Sequence, residues 1–169
     1  MPRRLSITRC QAHPHRSCEI TEAALQEDLA VEVNKLKLLR TAGVRVAIDD
    51  FGTGYSSLSR LAKLPIDTLR IDRTFTCEVP QEHAGRMLVK TIITLARAFR
   101  LTTVAEGVES QEQLNFMWQV GCDQSQGYLH SHPLPAHELA VLLEHGRGNL
   151  VRPPGTAADS LTRDKQVGA

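Results

Sequence analysis

Short apolar runs that end in a polar or acidic residue alternate along this chain with longer stretches whose apolar residues recur at helical spacing. A strand-like run followed by a 3.6-residue period is the signature of a βα unit. Ser17 to Thr21 reads as a first strand. A helix follows from about Leu29 to Thr41, with Val33, Leu36 and Leu39/Arg40 on one face and Gly43 as its C-terminal cap. Val44 to Ile48 is a second strand, and after a glycine turn Ser56 to Leu64 is a short helix stopped by Pro65. Ile66 to Ile71 is a third strand ending in Asp72, and the spacing predicts a long helix from about Ala84 to Phe99 that buries Leu88, Ile92, Leu95 and Phe99. LTTVAEG holds a fourth strand, Gln111 to Val120 a helix, CDQSQGY a short fifth strand, and Pro135 to Glu144 a last helix with proline in its first turn.

Strands separated by helices predict an α/β fold with a parallel sheet, either open and doubly wound or closed into a barrel. Closed (β/α)₈ barrels use eight strands and typically about 250 residues. In the barrel case, about five βα units make an incomplete (β/α)₈ TIM-type barrel. Residues 1–16 are expected to be an irregular N-terminal segment, 17–146 the folded domain and 147–169 a disordered tail, because the tail carries Gly, Pro, Ser and charge without periodicity.

Polar side chains collect at the C-terminal ends of these strands: Glu19 and Glu22, Asp49 and Asp50, Asp72, Glu106 and Glu109, and Gln126. Both parallel architectures bind ligands at that edge. Adjacent carboxylates at Asp49 and Asp50 have two readings. They cap the following turn, as Asp commonly does, or they share hard cations, since a two-metal site needs a carboxylate between ions about 3.5–4 Å apart. Convergence of Asp72 and Glu106 on the same rim favours the cations. The turn after the pair, Phe51, Gly52, Thr53, Gly54, Tyr55 and Ser56, is neither a Walker loop nor a dinucleotide fingerprint. It reads as a loop able to order closely over a ligand, as a tight turn with Ser56 or Ser57 as N-cap, or as both.

Composition narrows the partners. The 169 residues are 41% hydrophobic and 23% charged with formal net charge +1, as in an ordinary globular domain. No basic stripe points to a nucleic-acid polymer or an anionic membrane. Arg3 and Arg4 are not followed by the apolar run of a signal peptide, and no stretch approaches the roughly 20 apolar residues of a membrane span; a cytoplasmic location is expected. The four cysteines, Cys10, Cys18, Cys77 and Cys122, are spaced for reduced thiols rather than a zinc clip. Among the seven histidines no H-E-x-x-H occurs, and His13, His15, His130 and His132 read as surface residues.

The blocks EITE (Glu19 to Glu22), DDFGTGYSSL (Asp49 to Leu58), LPIDTLRID (Leu64 to Asp72), VAEGVES (Val104 to Ser110) and QGYLHSHPL (Gln126 to Leu134) follow in an order and spacing that resembles the EAL-type cyclic-di-GMP phosphodiesterases of bacteria. The resemblance covers about residues 18 to 145. It implies a barrel that uses two Mg²⁺ or Mn²⁺ ions to hydrolyse one phosphodiester bond of cyclic-di-GMP to linear pGpG. Carried over position by position, Glu19 looks like a metal ligand, Asp49 like the bridging ligand and Asp50 like a ligand of the second metal. Asp72 and Glu106 resemble the acidic shell near the attacking water. Glu22 is similar to the glutamate that steadies the glycine loop, and Glu109 and Gln126 look like supporting residues.

Two departures from the family pattern shape the expectation. The glutamate of the Glu-Ala-Leu motif and the asparagine of the following strand find no counterpart in Met1 to Ser17, which implies an open sheet edge and invites association, including into a homodimer. The family's lysine is Arg70 here, a group that stays charged and cannot serve as a base. Impaired or lost turnover is therefore expected, with a non-catalytic cyclic-di-GMP-binding or protein-interaction module, or a non-functional remnant of a longer gene, as the alternatives.

Overall fold

A computed structural model describes residues 17–25, 28–52, 58–79 and 82–144. Residues 1–16, with Cys10, His13 and His15, Thr53 to Ser57 and the C-terminal tail lie outside the described residues. The chain divides into two units, Met1–His132 and Pro133–Ala169.

In the first unit five strands, β1 (Ser17–Thr21), β2 (Arg45–Phe51), β3 (Thr68–Ile71), β4 (Thr102–Ala105) and β5 (Gln124–Ser125), pair in sequence order. All four pairings are parallel. Between them lie α1 (Leu29–Thr41), α2 (Leu58–Leu61), α3 (Arg73–Glu78), α4 (His83–Ala98) and α5 (Gln111–Val120). This is part of a (β/α) barrel rather than a doubly wound sheet, since the strand order never reverses. The second unit contains α6 (Ala136–Glu144), which begins after the predicted proline: the Pro135 carbonyl accepts from the Leu139 N–H just outside the helix.

Alternation in the strands separates two faces. Cys18, Ile20, Val46, Ile48, Leu69, Ile71 and Ala105 are buried in one core with the helices, each large aliphatic side chain contributing about 1.5–3 kcal/mol. The intervening positions, among them Glu19, Ala47, Thr68, Arg70 and Val104, line the opposite face and a cavity of about 240 Å³. Long-range polar contacts pin the strand starts: Asp67 accepts from the Val46 N–H at 2.9 Å and pairs with Arg40 at 3.1 Å, while Asp123 accepts from the Thr103 N–H at 2.9 Å.

Several boundaries differ from the pattern. β2 runs on to Phe51, so Asp49 and Asp50 stand inside the strand rather than after it. The described part of the second predicted helix is the single turn Leu58–Leu61. On α4 the buried positions are Gly85, Val89, Ile92, Ile93 and Ala96, and Leu88 is 42% exposed. The core stripe is rotated by one position because Val89 and Ile93, not Leu88, face the strands. α3 went unpredicted; its start is the side chain of Asp72, which accepts from the Thr74 N–H at 2.9 Å.

Candidate metal and phosphodiester site

β1, β2 and β3 deliver Glu19, Asp49 and Arg70 to the polar face, and the residues just beyond β4 and β5 add Glu106 and Gln126. The Asp49-Asp50 pair is made usable by a register break. Ile48 pairs with Leu69, but the next pair is Phe51 with Ile71, so β2 holds one more residue than β3 over this stretch. Such a bulge re-aims side chains that would otherwise point to opposite faces. Asp50 absorbs the turn with φ +55°, a left-handed conformation that Asp tolerates better than most residues. Carboxylate oxygens of Asp49, Asp50 and Glu106 consequently lie within 4.8 Å of one another.

Arg70 stands among these groups. Its Nη1 donates to Glu19, its Nε and Nη2 contact Glu106, and Nη2 also reaches Gln126 Oε1 at 3.3 Å. Asp49 Oδ1 lies 3.3 Å from Nε, yet that N–H is aimed at Glu106, and among the described residues the buried Asp49 oxygen has no hydrogen-bond donor. Burial works against the charged guanidinium, but Glu106, Glu19 and Asp49 outweigh it and hold the Arg70 pKa above its usual value. Burial, reinforced by Asp49 and Asp50, leaves the Glu106 carboxyl above its usual value in spite of Arg70.

A second carboxyl pair sits beside the first. Asp50 is hydrogen-bonded to Asp72, a contact that requires a proton on one of them. Partial burial and the charges of Asp49 and Asp72 raise the Asp50 pKa. Asp72 shifts the other way: burial opposes it, but the Thr74 hydroxyl and N–H, with the Asp50 hydrogen bond, stabilise its ionised form. Of the two, Asp50 is the more readily protonated. Thr74 escaped the sequence reading, although Asp-x-Thr at a strand end is a legible helix-start signal.

Glu22, in the short 3₁₀ turn Glu22–Ala24, is buried and accepts the Gly52 N–H at 2.9 Å, tying the end of β2 to β1. Gly52 has φ +100°, and a Cβ there would sit 2.8 Å from the Phe75 ring. Phe51 is buried in the core. Glu109 is exposed beyond β4, where its N–H donates to Gln113 Oε1 at 2.7 Å. Gln113 also completes a reciprocal cap with Ser110 at the start of α5. Ser125 Oγ and His130 Nε2 are 2.8 Å apart, away from the rim carboxylates' contacts.

The donor set fits hard divalent cations: all-oxygen ligands, three converging carboxylates and a buried Asp49 oxygen without a hydrogen-bond donor among the described residues.

The family model described as "EAL domain" matches residues 2–133. The chain belongs to the EAL-domain family. It is 42% identical over 135 residues to the cyclic di-GMP phosphodiesterase NbdA of Pseudomonas aeruginosa, a match covering 80% of this chain and 17% of that protein. The EAL domain of Mycobacterium smegmatis DcpA superposes with a TM-score of 0.74 at 44% identity, over 78% of this chain and 59% of that one. The manganese and cyclic-di-GMP complex of Klebsiella pneumoniae BlrP1 superposes with a TM-score of 0.64 at 33% identity, over 69% of this chain and 30% of that one. The chain spans between 15% and 21% of the length of the curated relatives it matches. Among the described residues no helix is long and apolar enough to cross a membrane.

Proposed function

We propose that this EAL domain binds cyclic-di-GMP at the strand-end rim and hydrolyses one of its phosphodiester bonds to pGpG, at a rate impaired by Arg70. Convergence of Asp49, Asp50 and Glu106 through the β2 bulge carries the reading, because a strained bulge that serves only to crowd carboxylates has no structural benefit. These three residues would hold Mg²⁺ or Mn²⁺, with Glu19 as a further ligand once it leaves Arg70. A bound divalent cation supplies a more acidic water and charge stabilisation at the phosphate.

The remaining work falls to the chain itself. Because pGpG keeps its phosphate on the 5′ side, the bond that breaks is P–O3′. Water oxygen bonds to phosphorus as the P–O3′ bond breaks, and a rim carboxylate takes the water proton and returns it to the departing 3′ oxygen. Glu106, held above the ordinary carboxylate range, is suited to accept a proton. Asp72 fixes Asp50 through their hydrogen bond, and Glu22 holds Gly52 at the start of the substrate-side loop. Arg70 offers positive charge to the phosphate but has no proton to exchange.

Because Arg70 already engages Glu19 and Glu106, a non-catalytic cyclic-di-GMP-binding module is the second reading. Incubation with cyclic-di-GMP and Mn²⁺ followed by chromatography separates them. Slow pGpG formation that Asp49→Asn abolishes supports the phosphodiesterase; binding with no pGpG on prolonged incubation supports the module; neither binding nor product rejects both.

A further inference from the structure

We infer that the polar face of the sheet carries a second binding site at the end away from the rim, centred on Arg45, and that it takes a small phosphate-class anion, free phosphate or a phosphomonoester. The site uses neither the rim carboxylates nor a metal, so it stands apart from the proposed function.

Arg45 opens β2, and strand alternation puts it on the side of Ala47, opposite the core residue Val46. There it lines the cavity of about 240 Å³ together with Ser17, Thr68, Thr102 and Gln124. Ser17 is its partner on β1, while Ala47, the next position on the same face, pairs with Thr68, which pairs in turn with Thr102. Barrel interiors are ordinarily filled by bulky branched side chains. Small hydroxyl and methyl side chains occupy these layers instead, and they leave space above the arginine.

Charge at that end is one-sided. Asp67 is spent on the Val46 N–H and on Arg40, at 2.9 and 3.1 Å, and Asp123 on the N–H and hydroxyl of Thr103, at 2.9 and 2.8 Å. Glu19, the carboxylate among the cavity's lining residues, is turned to Arg70 at the far end. Among the described residues no carboxylate pairs with Arg45, and no side-chain hydrogen bond engages the hydroxyls of Ser17, Thr68 or Thr102. A guanidinium offers five N–H donors in a planar fork that matches phosphate oxygens two at a time, and neighbouring hydroxyls donate to the rest. The cavity is smaller than the roughly 300 Å³ at which pockets for drug-sized ligands begin, which selects a small anion. At a rise of about 3.3 Å per residue, Arg45 lies about 13 Å along β2 from Asp49. An anion held there leaves the rim carboxylates untouched.

The test titrates the full 169-residue chain, in EDTA and without nucleotide, with inorganic phosphate and separately with glycerol 3-phosphate, by calorimetry. Saturable binding of at least one of them, one per chain, is expected, and the tighter of the two names the source of the anion. Affinity is expected to fall at least about tenfold in Arg45→Gln and about threefold in Thr68→Val, and to stay unchanged in Lys90→Gln, which removes one exposed charge from α4. No saturable binding of either anion, wild-type affinity in Arg45→Gln, or an equal loss in Lys90→Gln would overturn the inference. Circular dichroism establishes that each variant is folded; if Arg45→Gln is not, Thr68→Val and the wild-type titration decide. Absence of cyclic-di-GMP binding, measured separately, would reject the proposed function and leave the anion site standing.

Discussion

Arg70 on β3 directs both Nε and Nη2 at a single carboxylate oxygen of Glu106, the residue that follows the neighbouring strand β4. In this contact the guanidinium holds together a rim whose carboxylates would otherwise repel. Removing it should expose that repulsion. Arg70→Ala is expected to lower stability by about 2 kcal/mol in EDTA, the scale of leaving partly buried charged groups without their hydrogen-bond partner. Saturating Mn²⁺ should return more stability to the variant than it adds to the wild type. Urea unfolding with EDTA and with Mn²⁺ checks this; equal metal-induced gains in both proteins would show that Arg70 and the ion do not compete.

Gly52 ends the bulged strand with φ +100°, and its N–H is held by Glu22. Gly52→Ala places a methyl group 2.8 Å from the Phe75 ring in a conformation L residues rarely adopt. The expected cost exceeds about 1 kcal/mol, with cyclic-di-GMP affinity falling as well if, as proposed, the neighbouring Asp49-Asp50 strand end belongs to the binding site. Denaturant melts and nucleotide titration read the two effects. An unchanged melt would mean that the strand end can relax.

Asp72 contributes through its depressed pKa and through the start of α3. Its unfolded-state value is near 3.8 and its folded-state value lower, so the stabilisation is complete above the unfolded value and is lost as pH falls through the folded one. Asp72→Ala is expected to cost about 1 kcal/mol at pH 7, the usual size of an N-cap, with the difference from wild type shrinking in acid. Asp50, whose pKa is raised, has the opposite sign: its ionisation destabilises the fold as pH rises above its unfolded value. Urea unfolding from pH 7 downward tests the pair, and a penalty that grows in acid would contradict the assignment.

Cys122 is buried, and burial raises its thiol pKa above the ordinary 9.0 despite contacts with Thr103 and Gln124. Stability from this group is present below pH 9.0 and declines as pH rises through the folded value, because the unfolded thiol ionises first. Under native conditions at pH 8, iodoacetamide is expected to label exposed Cys77 and spare Cys18 and Cys122. Mass spectrometry of the digested protein reads this out, and rapid labelling of Cys122 would show that β5 opens readily.

The βα rhythm and the rim were legible because both arise from local spacing. Strand residues such as Ile20 and Leu69 are flanked by polar neighbours, and Asp49, Asp72 and Glu106 each follow an apolar strand run. The β2 bulge was not legible: whether Asp50 turns to join Asp49 depends on how Phe51 pairs with Ile71 on another strand. Buried Glu32 was hidden for a similar reason, since its partner Arg60, at 2.7 Å, is 28 residues away. α3 was missed because six residues carry too little periodicity to announce a helix, and its start depends on one Asp side chain. The position of Arg70 at the centre of the rim likewise became visible only when four strands brought Glu19, Asp49, Glu106 and Gln126 around it.

Titration calorimetry of the chain with cyclic-di-GMP in Mn²⁺ tests the proposed function most directly. One molecule bound saturably per chain is expected, with affinity reduced at least about tenfold, or about 1.4 kcal/mol, in a folded Asp49→Asn variant. No saturable heat, or binding that the Asp49→Asn substitution leaves unchanged, would contradict a cyclic-di-GMP site at the carboxylate rim.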